Sequence, residues 1–178
     1  MENFRSKSVT LLEQFIENEN LRNHCFHVEK CMIFYANKLN ENAELWGITG
    51  LLHDLDWEKH PDTHPNTAVP VLKENGYPDE VIEAILGHAY PERTDVPRNT
   101  VLAKYLFACD EVTGFVHAYS LMKENGLADV QAKSIIKKMK DKAFARNVNR
   151  DDIKKGAEEI GYSLEEHITN VINAMKGS

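Results

Sequence analysis

The chain has 178 residues and a net charge of -7, with 28 acidic against 21 basic side chains. That length buries a core without staples, and the acidic balance excludes a general nucleic-acid binder. Three cysteines, Cys25, Cys31 and Cys109, odd in number and without C-x-x-C spacing, exclude a disulfide scaffold and a zinc finger and point to reduced thiols in a cytoplasmic protein.

The N-terminal stretch "MENFRSKSVTLLEQF" lacks the apolar core of a secretion signal, and no run of 18 apolar residues follows, so neither export nor a membrane span is expected. Apolar residues recur at three- and four-residue steps, which predicts an all-α chain. A short helix is expected near residues 8 to 18, and a second from about 21 to 39 turns Val28, Met32 and Tyr35 toward a core. The third, about 43 to 55, contains Gly47 and Gly50, which let another helix approach closely. A polar loop runs from Asp56 to Pro65, and a fourth helix follows to about Asn75. In "NGYPDE" there is a stop, a turn and Asp79 as the next cap. Helix five ends near His88 before the irregular "AYPERTDVP", and one long helix spans Asn99 to Glu124. "NGLAD" breaks it. Asp129 is expected to cap a lysine-rich helix and Asn149 the next, while Ser163 with Glu166 forms a capping box for the last, ending at Met175. No repeat or linker interrupts the chain, so a single helical domain of eight to nine helices is expected over residues 1–178.

Several polar residues turn inward. Asp110 shares a helix face with Ala103, Phe107 and Gly114, His88 follows Val81 and Ile85, and His24 precedes Val28 by four residues. A lone inward histidine is ordinarily a hydrogen-bonded core residue. Here four helices each offer an inward His or Asp, and the loop adds His64. All are ligand types for divalent cations. His53 and Asp54, about 100° apart at a helix C-terminus, can both reach an ion beyond that end.

The pattern resembles the HD-domain metal-dependent phosphohydrolases, named for an H…HD…D arrangement. It reads His24 in "NHCFHV", His53-Asp54 in "LLHDLD" and Asp110 in "ACDEVTG", with 29 residues from His24 to His53 and 56 from Asp54 to Asp110. The departure is "HDLD" where many relatives have "HDIG"; it leaves the metal-binding pair untouched. Segments such as "KSIIKKMKDKAFARNVNRDDI" and "GAEEIGYSLEEHI" also look like a subgroup of small bacterial members. The resemblance implies a helical metal-binding core at about residues 20–122, with helices 127–176 packing on it. It also implies His24, His53, Asp54 and Asp110 as ligands of one divalent ion. Some HD proteins hold a second ion on two further histidines, and His64 and His88 occupy the corresponding places. His60 is the competitor for His64 but lies in an exposed-looking loop. His27 is expected to pack or face solvent, His117 to be a weaker candidate for contact with the site, and His167 to lie at the surface.

The implied reaction is hydrolysis of a phosphate ester or anhydride by metal-activated water, with His53 and Asp54 at its centre. The substrate that the resemblance implies is a small phosphorylated molecule, a nucleotide or dinucleotide. The His/carboxylate shell favours iron or zinc, ahead of manganese, cobalt and nickel. Residues 133–155 carry nine basic and three acidic side chains, a local +6 that leaves the remainder at -13. Lys133, Lys137 and Lys140 form a stripe opposite Ala132, Ile135, Ile136, Met139 and Ala143. That stripe ordinarily reads as a solvated face; Lys137 is the phosphate contact named within it. Arg93, just after His88, is the preferred phosphate-binding side chain. No nucleic-acid polymer or membrane is expected as a partner. The other readings are an HD-fold di-iron oxygenase and a nucleotide-binding sensor module without catalysis.

Overall fold

The computed structural model describes residues 4–177, and every regular element among them is helical. Residues 1–3, the start of the stretch read for a secretion signal, and Ser178 lie outside the described residues. The chain divides into two compact units, one ending at Leu106 and one beginning at Phe107. None of the described helices is long and apolar enough to cross a membrane. All three cysteines are buried and free of disulfides.

The first unit holds α1 (Phe4–Phe15), α2 (Glu19–Leu39), α3 (Ala43–Leu52), α4 (Ala68–Glu74), α5 (Asp79–His88) and the start of α6 (Val101–Ser120). α1 begins four residues earlier than the periodicity predicts. The guanidinium of Arg5 forks onto the carboxylate of Glu29, 3 % exposed on α2, at 2.6 and 3.0 Å. α1 stops before residue 18 because Asn18 serves the next helix: its Oδ1 accepts from the backbone N–H of Asn20 and of Leu21.

α2 and α3 form a tight hairpin. Asn40 ends α2 in the left-handed conformation (φ 58°), and the Asn42 side chain accepts from Leu45 N at 3.1 Å to start α3. As the glycines predict, the two helices touch backbone to side chain. A Cβ on Gly50 would lie 2.9 Å from Met32 Cγ, closer than real Cβ atoms come, and 3.0 Å from both Glu29 N and Val28 C, tighter than nearly all real Cβ contacts. Every residue from Trp46 to Leu52 is buried. This contact carries the end of α3 up to α2 at His24.

α3 ends at Leu52 rather than near 55. The His53 Nδ1 donates to the Gly50 carbonyl at 2.7 Å, taking an acceptor the helix would otherwise use, and the backbone continues in three-residue turns (Leu55 N to Leu52 O, Trp57 N to Asp54 O). α5 begins at Asp79 itself, with Pro78 in the cap position, so Asp79 and Glu80 lie in the first turn, where the helix dipole favours acids.

The second unit holds the rest of α6, a 3-10 turn (Gly126–Asp129), α7 (Ala132–Lys138), α8 (Arg150–Glu159) and α9 (Leu164–Lys176). α6 ends at Ser120, not Glu124, where the serine hydroxyl donates to His117 O and the backbone passes into turns. Asp129 does not cap α7. Its carboxylate accepts instead from the backbone and side chain of Asn125, closing the 3-10 turn. Asn149 and Ser163 cap α8 and α9 as expected. Ala132, Ile135 and Met139 are buried while Lys133, Lys137 and Lys140 face solvent.

His167, expected at the surface, is fully buried. On α9 it shares the inward face with Val171 and Ala174, and its Nε2 donates to Ala108 O at 2.8 Å. Burial disfavours the imidazolium and pushes its pKa down to about 4.

Candidate metal centre

Two groups of ligand atoms converge within the first unit. His24, His53 and Asp54 form one; Asp54, His64 and His88 form the other. α2 supplies His24, and the turn after α3 supplies His53 and Asp54. His64 comes from the loop before α4, and His88 is the last residue of α5.

In the first group the Nε2 atoms of His24 and His53 stand 3.2 Å apart, and Asp54 Oδ2 lies 3.4 Å from His53 Nε2 and 3.8 Å from His24 Nε2. In the second, His64 Nε2 lies 3.4 Å from Asp54 Oδ1 and 3.3 Å from His88 Nε2. Ligands about 2.0–2.2 Å from an ion and about 90–110° apart stand roughly 2.8–3.6 Å from one another, so four of these five separations match the edges of a coordination shell and the fifth lies just beyond. The His53 and His88 rings, with centroids 5.5 Å apart, adjoin the two groups.

Hydrogen bonds behind the rings decide which nitrogen faces inward. His53 Nδ1 lies 2.7 Å from Gly50 O, and His88 Nδ1 bonds the Ile85 carbonyl; a carbonyl only accepts, so each Nδ1 carries the proton. His64 Nδ1 lies 2.7 Å from Asp56 Oδ1, while Asp56 Oδ2 accepts from Ala68 N at 2.8 Å. That carboxylate therefore acts as an acceptor on both oxygens. In its neutral form each of the His53, His64 and His88 rings then has an Nε2 lone pair turned toward the Asp54 carboxylate or another ring. Acceptors facing each other at 3.3 Å repel unless a cation lies among them. This donor set fits a divalent metal, and its imidazole content suits transition ions better than magnesium or calcium.

The two groups do not include the remaining residues singled out in the sequence. His60 is exposed and takes no part in either group. Asp110 is half-buried on α6 in the second unit, as is His117; Lys137 is exposed on α7. Arg93 stays in the first unit: its Nη1 donates to Pro61 O at 2.6 Å, and its guanidinium covers the Trp57 ring at 5.0 Å. Trp57 in turn meets the His64 ring edge-on at 5.0 Å.

Asp56 is the functional residue that sequence reasoning missed. Counted as the first residue of a polar loop, it is fully buried and orients a candidate ligand. Its signal was an acid directly after apolar Leu55 and two places beyond Asp54.

A family model described as HD domain matches residues 21–114, which is more than half of the chain. No curated protein and no solved structure matches.

Proposed function

The chain belongs to the HD-domain family, whose members are generally metal-dependent phosphohydrolases, and from that premise we propose that it hydrolyses a phosphate ester or anhydride in a small phosphorylated molecule. We take that molecule to be a nucleotide or dinucleotide, and iron or zinc to be the resident ion. The observation that carries the reading is the division of Asp54: Oδ2 faces His24 and His53, and Oδ1 faces His64. A carboxylate so placed serves two ligand groups at once, as two-metal hydrolases require.

A divalent ion held by these groups supplies Lewis acidity, bringing the pKa of water toward neutrality and offsetting charge on phosphoryl oxygens. The chain's residues prepare and complete that chemistry. The carbonyls of Gly50 and Ile85 hold His53 and His88 with their Nε2 lone pairs inward. Asp56 does the same for His64 and makes that nitrogen a better donor. Arg93 spends one N–H on Pro61, and its other guanidinium donors are assigned to a phosphoryl oxygen of the substrate. In this reading Asp110 takes the role the family resemblance gives it, a further ligand, and Lys137 of the lysine-rich segment is a second phosphate contact.

Metal analysis of the purified protein, followed by a phosphatase and phosphodiesterase panel with Mn, Fe, Co, Ni and Zn, tests the proposal. Asp54→Ala is expected to lose both metal and phosphate release; near-normal release in that variant refutes the assignment. His88→Ala is expected to lower the metal content from about two ions per chain to about one. About one ion per chain in both proteins would make the site mononuclear, and about two in both would show that His88 is needed for neither. The shared carboxylate suits di-iron oxidation equally well, and oxygen consumption without phosphate release would favour that reading.

A further inference from the structure

We propose that the cleft beside the metal centre receives the planar base of a nucleotide, with Trp57 as its stacking surface. The inference rests on the phosphohydrolase reading only for where the phosphate lies. The cleft, of about 330 Å³, is lined by Asn18, Leu21, Trp57, Glu58 and Pro61. That volume falls at the lower end of small-molecule sites, and three of its five walls are apolar, as in pockets for flat rings.

Trp57 borders both places. Its backbone N–H donates to Asp54 O at 2.9 Å and its ring meets His64 edge-on, so the indole is fixed relative to two candidate ligands. Yet the residue remains 38 % exposed, although α3 and the turns after it bury every residue from Trp46 to Asp56. An aromatic ring covered by Arg93, set perpendicular to the His64 ring and lining a cleft, is a preorganised platform. The opposite wall is equally set. Leu21 stands one helical turn before His24, and Glu58 Oε2 accepts from the backbone N–H groups of Glu17 and Asn18 at 2.9 and 3.0 Å. That pair of bonds ties the loop after α3 to the start of α2, so the cleft exists before any ligand enters. Arg93 joins the two halves of the site: one side chain covers Trp57 and offers N–H groups for a phosphate. A nucleotide has the matching form, a neutral flat ring joined through a sugar to an anion.

Titration calorimetry on the metal-loaded protein with adenosine and with ribose, neither of which carries a phosphate to hydrolyse, tests the subsite. Adenosine is expected to bind more tightly than ribose by roughly 5- to 150-fold, the ratio that stacking on one aromatic ring supplies. Trp57→Ala is expected to lose at least fivefold in adenosine affinity, and Trp57→Phe to stay within about threefold of wild type. Leu21→Trp, which fills the cleft from the other wall, is expected to abolish adenosine binding whether or not Trp57→Ala folds. Equal affinity for adenosine and ribose, or adenosine affinity unchanged in Leu21→Trp, overturns the proposal. Trp57-dependent adenosine binding in a protein that releases no phosphate upholds the subsite and sinks the hydrolase reading. Phosphate release without adenosine binding does the reverse.

Discussion

Replacing Asp56 with Asn changes one atom of a buried side chain and sets two donors against a single acceptor. The carboxylate accepts from His64 Nδ1 at 2.7 Å through one oxygen and from Ala68 N at 2.8 Å through the other, with no exposure to water. An asparagine amide has one oxygen and one NH2 group. If its oxygen turns to His64, the Ala68 N–H faces another donor and a buried bond is lost, at a cost of about 1–3 kcal/mol. If the oxygen turns to Ala68, the NH2 group faces His64 Nδ1, which must then present a lone pair. The ring proton moves to Nε2, the atom 3.4 Å from Asp54 Oδ1 and 3.3 Å from His88 Nε2, and His64 can no longer ligate a cation. Loss of a partner behind a metal ligand typically weakens binding by about 10- to 100-fold.

Asp56→Asn is therefore expected either to unfold more easily in the metal-stripped form or to bind metal more weakly, and it cannot escape both. Thermal unfolding in chelator, paired with a metal-competition titration, separates the two routes. Asp62→Asn, six residues on in the exposed loop, is the control and should match wild type in both. A variant at Asp56 with wild-type unfolding and wild-type metal affinity would show that Asp56 does not hold His64.

The sequence carried the helices and the candidate ligands because both obey local rules. Asn149 and Ser163 cap where they should, and Gly50 sits where α2 and α3 touch. Its misreadings came from competition among polar groups that no periodicity encodes. Asp129 had two possible clients and took Asn125; the His53 ring took the Gly50 carbonyl and ended α3 early. Asp56 and Trp57 were passed over for the same reason. A residue in a loop has no face, so its inward or outward direction is set by the tertiary partner, here His64 for both. His167 is the opposite case: Val171 and Ala174 share its helical stripe, and a titratable type was allowed to outweigh a periodic signal.

Two further predictions follow from packing and burial. Gly50→Ala places a methyl group against α2 backbone atoms at 3.0 Å, so α3 must shift; a destabilisation of about 1–3 kcal/mol is expected, with weakened metal retention, because Gly50 O also orients His53. Equal unfolding midpoints in urea would show that the helices separate freely. For His167 the expected effect depends on pH. The folded chain holds this imidazole neutral down to about pH 4, against an ordinary value of 6.5. The unfolded chain therefore binds the extra proton first as pH falls. Above about pH 6.5 the residue's contribution to stability is intact; between 6.5 and 4 it erodes, by a total of about 3 kcal/mol at 1.36 kcal/mol per pH unit. His167→Gln keeps an N–H for Ala108 O but does not titrate. Urea unfolding of wild type and variant from pH 7.5 to pH 4.5, both in chelator, should give two curves that converge or cross as acid is added, with wild type losing more. Parallel curves would mean that the unfolded and folded chains protonate His167 alike, which a ring buried against the Ala108 carbonyl does not allow.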